Sequence, residues 1–337
     1  MASHPTRLQA RAAVVFLTSL AVIVAGCYGS AGRPTLRGSS GWHGSPGGVH
    51  PSSQRETPAT IRRPDPPNPV PASVPAAWVG APGDGQWVGA GRLLGPRPDV
   101  ETTTVRQNGH VVSAAWLSVA RTKVAIYAGT TQPAGEWTNR GAVPAVLQER
   151  LVAAFNGGFQ LDASRGGWYA DGRQAVPLRD GAASLVVNSD GSATVGQWGR
   201  DVNLTPGVVA VRQNLELLID GGVATPLTVA PNPIAVWGDP LHENVLTWRS
   251  GLGVDASGDL VYVAGPGLDP QTLASAMVAV GAVRAMELDI NPEWVSFDSF
   301  TGDVPTVTGT KLADSMYFPT NHFLTPFWRD FVAVFAR

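Results

Sequence analysis

The sequence predicts an α+β domain: a strand-rich mixed β-sheet with a few packed helices, preceded by a signal segment and a disordered linker. Three observations predict it. The 39 Gly and 28 Pro imply many turns, and short apolar runs recur between them. Only one segment carries a complete set of helix start and stop signals. Finally, the composition changes sharply near residue 85, from a Pro/Gly/Ser-rich stretch to alternating apolar and polar residues.

The amino terminus reads as a targeting signal over residues 1–27. Arg7 and Arg11 precede an uncharged apolar run from Ala12 to Gly26, closed by Val24-Ala25-Gly26-Cys27. At about 15 residues the run is short of the roughly 20 that span a bilayer. The pattern resembles a bacterial lipoprotein signal, which implies lipidation at Cys27 and anchorage on the outer face of the cell membrane. An uncleaved anchor and an ordinary secretory signal are the alternatives. Cys27 is the only cysteine, so an intrachain disulfide, a Cys-based zinc site and a Cys nucleophile in the domain are excluded. Residues 28–85 form the linker, too poor in apolar surface to offset the entropy of ordering. His43 and His50 lie in it without metal-ligand spacing.

The domain is expected over 86–337. Charged residues are 15% of the chain and the formal net charge is -2, which gives no support to a nucleic-acid surface. Val111 to Val119 and Thr122 to Tyr127 alternate and suggest a strand pair. Leu151 to Phe155 reads as a buried strand ending in Asn156-Gly157-Gly158-Phe159, a turn requiring positive φ or close backbone approach. Ala183 to Val187 and Ala193 to Gly196 flank Asp190-Gly191, a hairpin signal. Leu215 to Ile219 is a further strand, and Gly251 to Val254 pairs with Leu260 to Val263 as a second hairpin. The helix begins with Asp269 as N-cap and Pro270 at the first position. It carries Leu273, Met277 and Val280 on one face and stops at Gly281. It feeds a strand over 283–290 that should point Met286, Leu288 and Ile290 to one side and Glu287 and Asp289 to the other. Phe327-Trp328 to Phe335 is too short to span a membrane and should pack on the domain.

Asn156-Gly157-Gly158-Phe159, Arg249-Ser250-Gly251-Leu252-Gly253 and the Glu287/Asp289 strand together resemble the phosphodiester glycosidase family, over roughly Val112 to Val295. In that family an Asn-Gly-Gly-Phe turn follows an apolar strand. An Arg-Thr or Arg-Ser precedes a Gly-containing strand, and a Leu-Asp-Gly-Gly-Gly-Ser motif follows a helix. The resemblance implies an exported hydrolase cleaving a sugar–phosphate glycosidic bond in the cell envelope. Asp289 would stabilise the oxocarbenium-like sugar or activate water, and Arg249 would hold the phosphate with its planar fork of donors. Asn156 would orient a hydroxyl or the attacking water, and Glu287 would supply a second carboxylate. Gly157, Gly158, Ser250, Trp248 and Trp294 would contact the sugar–phosphate substrate or envelope glycan. Trp168, Tyr169, Trp198 and Trp237 also lie near the motifs, although most of the 11 Trp must be core.

The chain departs from the family where Asp289 is followed by Ile290-Asn291-Pro292-Glu293 instead of glycines and Ser. Backbone N–H groups can approach a phosphate through glycines, and Pro292 has no N–H at all. A second function therefore stands beside the first: a catalytically silent descendant that binds envelope glycan or a protein partner. A third is an envelope lipoprotein without a ligand. The residues admit structural roles too: Asp289 accepting from turn N–H groups, Glu287 paired with Arg284 or Arg249, and Asn156-Gly157-Gly158 as a plain turn. Asp162 and Asp171 could bind Ca²⁺ with backbone carbonyls, or lie in a solvated loop. His110, His242 and His322 show no metal-ligand spacing.

Overall fold

The computed structural model describes residues 85–240 and 244–337. The expectations for the leader, Cys27, the linker histidines and His242 lie outside the described residues. The expected dominance of strands holds, but the strands form three sheets rather than one. Pairing between them is antiparallel throughout, and the parallel contacts are the isolated bridges Ala128 to Arg140 and Trp198 to Val202.

The largest sheet has eight strands in the order β1-β2-β3-β14-β13-β15-β11-β12. These are β1 (Val88–Ala90), β2 (Val100–Gln107), β3 (His110–Leu117), β14 (Leu260–Leu268), β13 (Thr247–Asp255), β15 (Ala282–Glu287), β11 (Leu217–Asp220) and β12 (Val223–Ala224). A five-stranded sheet joins β7 (Arg173–Val176), β6 (Trp168–Ala170), β10 (Val208–Gln213), β8 (Ala183–Asn188) and β9 (Ala193–Gln197). The third runs β17 (Thr308–Lys311), β16 (Phe297–Thr301), β5 (Leu151–Asn156), β18 (Phe331–Ala336) and β4 (Thr122–Tyr127).

Side-chain alternation assigns each face of the large sheet. Ala115, Leu117, Tyr262, Leu252, Val254 and Met286 point into a core shared with the other two sheets. Val112, Ala114, Val261, Val263 and Ala285 point the opposite way. There they meet helix α3 (Pro270–Ala279), which follows the short helices α1 (Ala145–Gln148) and α2 (Pro233–Trp237) in the chain and whose Leu273, Ala276 and Met277 are fully buried. Asp269 caps α3 as expected, its carboxylate accepting from Thr272 N at 2.7 Å, and Gly281 ends the segment at φ 91°. Both β14 and β15 run antiparallel to β13 and flank it, so they are parallel to each other and need a crossover. Helix α3 is that crossover. Gly251 and Gly253 let it lie close, because a Cβ on Gly251 would meet Met277 Sδ at 3.3 Å.

Two sequence expectations change. β3 and β4 are strands but do not pair with each other. β3 lies between β2 and β14, whereas β4 crosses to the third sheet and pairs with β18. The carboxyl-terminal run does more than pack on the domain: β18 is an interior strand between β4 and β5, buried along its length. Among the described residues no helix is long and apolar enough to cross a membrane.

Candidate functional site

The family-like motifs meet at one end of β5, β13 and β15. β5 delivers Asn156 to the end of a fully buried strand, and the chain then passes close beneath Asp330. A Cβ on Gly157 would lie 2.1 Å from Asp330 Oδ2, and one on Gly158 2.9 Å from Asn214 Oδ1. These glycines therefore serve close approach rather than positive φ. Gly157 N donates to Asp330 O at 3.1 Å, and Phe159 N donates to Asn214 Oδ1 at 3.1 Å.

Asn156 has its amide saturated. Nδ2 donates to Gly157 O at 2.8 Å and to Ser250 Oγ at 3.1 Å. Oδ1 accepts from Tyr262 Oη at 2.8 Å and from Ser296 N at 3.1 Å. Ser250 continues the network: Asp289 N donates to its Oγ at 3.2 Å, and Oγ–H reaches Asp289 O at 3.3 Å.

The expected strand over 283–290 ends at Glu287, and this separates the two carboxylates. Met286 and Leu288 face the shared core, but Ile290 packs in the helix-side cluster, so strict alternation stops after Leu288. Asp289 lies in the following turn. Its Oδ1 accepts from Ile290 N at 2.8 Å and Asn291 N at 2.9 Å, and its Oδ2 accepts from Arg329 Nη2 at 3.0 Å. Burial raises its pKa, opposed by Arg329 and the two backbone donors.

Glu287 lies on the helix side of the sheet, as does Arg249, which shares its parity with Gly251 and Gly253 along β13. Arg249 Nη1 donates to Glu287 Oε1 at 2.6 Å, while Nε and Nη2 donate to Leu268 O and Val245 O at 2.9 and 3.1 Å. Burial pushes the Glu287 carboxyl up to about 7 against the pull of Arg249, and its Oε2 has no hydrogen-bond partner among the described residues. Thus Asn156, Ser250 and Asp289 share one network, and Arg249 with Glu287 forms another across the sheet. All four predicted catalytic side chains are buried: Asn156 is 7% exposed, Asp289 2%, Arg249 1% and Glu287 0%.

Several residues of this region carried no sequence motif. Arg329 pairs with Asp289, donates to Gly158 O at 2.9 Å and stacks over Trp294, its Cζ 4.7 Å from the ring centroid. Asp330 accepts from Arg212 Nε at 2.8 Å, with both side chains buried. Asn214 Nδ2 donates to Glu287 O and Leu288 O, tying the Gly158 turn to the end of β15. The available signal was Arg329-Asp330 itself, two charges interrupting the aromatic run Phe327-Trp328 and Phe331.

Of the predicted sugar-contacting aromatics, Trp248 is half-buried against the shared core. Trp294 is half-buried in an aromatic cluster, 4.7 Å from Trp328, 5.5 Å from Phe318 and 6.3 Å from Phe327 between centroids. Trp328 is 51% exposed, and Tyr317, against Phe318, is 64% exposed. Trp168 and Trp237 are core residues. Asp171 supports a turn at φ 52°, its Oδ2 accepting from Thr138 N at 2.7 Å, and Asp162 is exposed. Among the described residues no group of three or more His, Cys, Asp or Glu is placed to hold a metal.

No family model and no curated protein matches the chain. Among solved structures, the zebrafish N-acetylglucosamine-1-phosphodiester alpha-N-acetylglucosaminidase catalytic domain, auto-inhibited by its pro-peptide, is similar at 14% identity and a TM-score of 0.44. That match covers 75% of this chain and 88% of that one. A hypothetical protein from Synechocystis is similar at 14% identity and a TM-score of 0.38, over 71% of this chain and 62% of that one. Both likenesses are distant.

Proposed function

We propose that this chain is a saccharide-binding protein of the cell envelope, held there by a lipid at Cys27, and that it binds its ligand without cleaving it. One observation carries the reading. The groups that would perform phosphodiester glycosidase chemistry are engaged inside the protein, while the aromatic cluster beside them presents Trp328 and Tyr317 to solvent.

Hydrolysis of a sugar–phosphate bond needs a carboxylate near the anomeric carbon and a cation on the phosphate. Asp289 meets the cation Arg329 and two turn N–H groups instead. Arg249 directs its fork at Glu287 and two carbonyls. The turn where the family has consecutive glycines contains Pro292 and an Asn291 side chain that accepts from Glu293 N at 2.9 Å. Flat aromatic faces, in contrast, suit the C–H-rich faces of sugars, and an exposed cluster of them marks a contact surface. The Asp289–Arg329 pair then has a positioning role: Arg329 holds the Trp294 ring that supports Trp328.

The test is a binding titration against neutral and phosphorylated monosaccharides. Trp328→Ala should weaken binding about tenfold or more, a loss of roughly 1.4 kcal/mol. Trp328→Phe, which keeps a flat ring, should retain most of it. Unchanged affinity in Trp328→Ala would remove the platform from the function.

A further inference from the structure

The face of the large sheet that carries α3 holds a groove of about 460 Å³. Gln107 of β2, Val223 and Ala224 of β12, and Ser275, Val278 and Ala279 of α3 line it. β2 lies next to one margin of that sheet and β12 forms the other, so the groove is where the two margins approach each other across α3. Val223 is 65% exposed and Val278 39%, and no charged side chain lines the groove. An uncharged groove with exposed valines suits an apolar occupant.

The chain itself leads there. β1 pairs with β2 over Val100–Thr102, so the outer margin of β2 from Thr103 to Gln107 has no strand beside it among the described residues. Read back from Val88, the chain stays on that margin: Trp87 packs against the helix-side cluster, and the buried Gly85 donates its N–H to Thr104 O at 2.7 Å. This direction runs along β2 towards Gln107, which lies about 10 Å beyond Thr104 at the rise of a strand. Residues 66–83 contain no charged side chain, and Trp78 is the one aromatic residue between Trp42 and Trp87. The extended chain from Gly85 back to Trp78 reaches about 24 Å, so Trp78 can pass Gln107 and enter the groove. Its ring supplies the apolar area, and Gln107 and Ser275 offer acceptors for the indole N–H.

We propose that residues 76–81 dock along the outer margin of β2 and seat Trp78 in this groove. The folded unit then begins near Ala76 rather than at Gln86, and the tether ends at the groove. The occupant is a segment of the same chain, matched to the groove by its lack of charge and delivered to it by the bond from Gly85 to Thr104.

The test is amide hydrogen exchange of the full chain, read by mass spectrometry and corrected for intrinsic rates. Amides of 76–81 should exchange about tenfold or more slowly than those of Asn68, Val70, Ala72 and Ser73. Trp78→Ser should bring the two stretches to the same rate. The double substitution Val223→Lys, Val278→Lys should do the same from the other side of the contact. Both valines are exposed, and unaltered exchange in β13 and β14 verifies that the variant folds. Equal exchange of the two stretches in the wild type would overturn the docking. Protection that survives the double substitution would place the segment elsewhere and overturn the groove as its seat. Protection that falls on dilution would give the groove to a second copy of the chain and overturn docking within one chain.

Discussion

Arg249 and Glu287 show how burial decides the role of a charged residue. Two ions taken out of water are tolerated only when paired and hydrogen-bonded, and removing one partner strands the other. Arg249→Met should therefore cost about 3–5 kcal/mol in urea unfolding, and a loss below about 1 kcal/mol would contradict a buried pair. A second buried set lies at His322 and Asp298, where His322 Nδ1 is 2.7 Å from Pro319 O and 3.6 Å from Asp298 Oδ2. Among the described residues, His322 Nε2 and Asp298 Oδ2 have no hydrogen-bond partner. Burial raises Asp298 to about 7 and lowers His322 to about 4, with Lys311 the charged group acting on both. A raised carboxyl means that the folded chain binds the proton more tightly, so this contribution is present at low pH and is lost as pH rises through about 7. The lowered imidazole acts in the opposite sense: the unfolded chain takes the proton first, and stability is lost as pH falls from about 6.5 towards about 4. Urea midpoints should therefore fall less between about pH 5 and 7 in Asp298→Asn than in the wild type, and more in His322→Phe. Parallel profiles for all three proteins would contradict both assignments.

At the scale of elements, glycines decide how closely helix and sheet approach. A Cβ on Gly253 would lie 2.6 Å from Arg284 O and 2.9 Å from Met277 Cε, so Gly253→Ala must push α3 or β15 aside. The expected cost is about 1–3 kcal/mol, read as a lowered thermal midpoint; an unchanged midpoint would show that the layer is looser than described. The helix, the Asp190-Gly191 hairpin and the Gly-rich strand were legible because local chemistry specifies them: a cap, a proline, a turn dipeptide. β2 was not, since Val100-Glu101-Thr102-Thr103-Thr104-Val105 has little apolar alternation and is stabilised as a strand by pairing with β3. The placement of β3 and β4 in different sheets was equally hidden, because alternation reports a face and not a partner. The site was legible in part. Asn156, Ser250 and Asp289 do come together, but parity along β13 and β15 sends Arg249 and Glu287 to the helix side. Arg329, which completes the network from 40 positions beyond Asp289, could not be placed without the β18 pairing that brings it there.

For the whole molecule, three sheets share one core, and the motifs gather where β5, β13, β15 and the chain entering β18 end side by side. Such a junction would place catalytic groups in a hydrolase. Here it holds buried ion pairs, Asp289 with Arg329 and Glu287 with Arg249, with aromatic rings at its margin. The claim that this molecule binds without cleaving is tested most directly by incubating the purified full chain with sugar phosphodiesters that it binds and measuring free sugar over time. The account predicts binding with no release above the uncatalysed rate, in the wild type and in Asp289→Asn alike. Release of free sugar by the wild type that Asp289→Asn abolishes would contradict it.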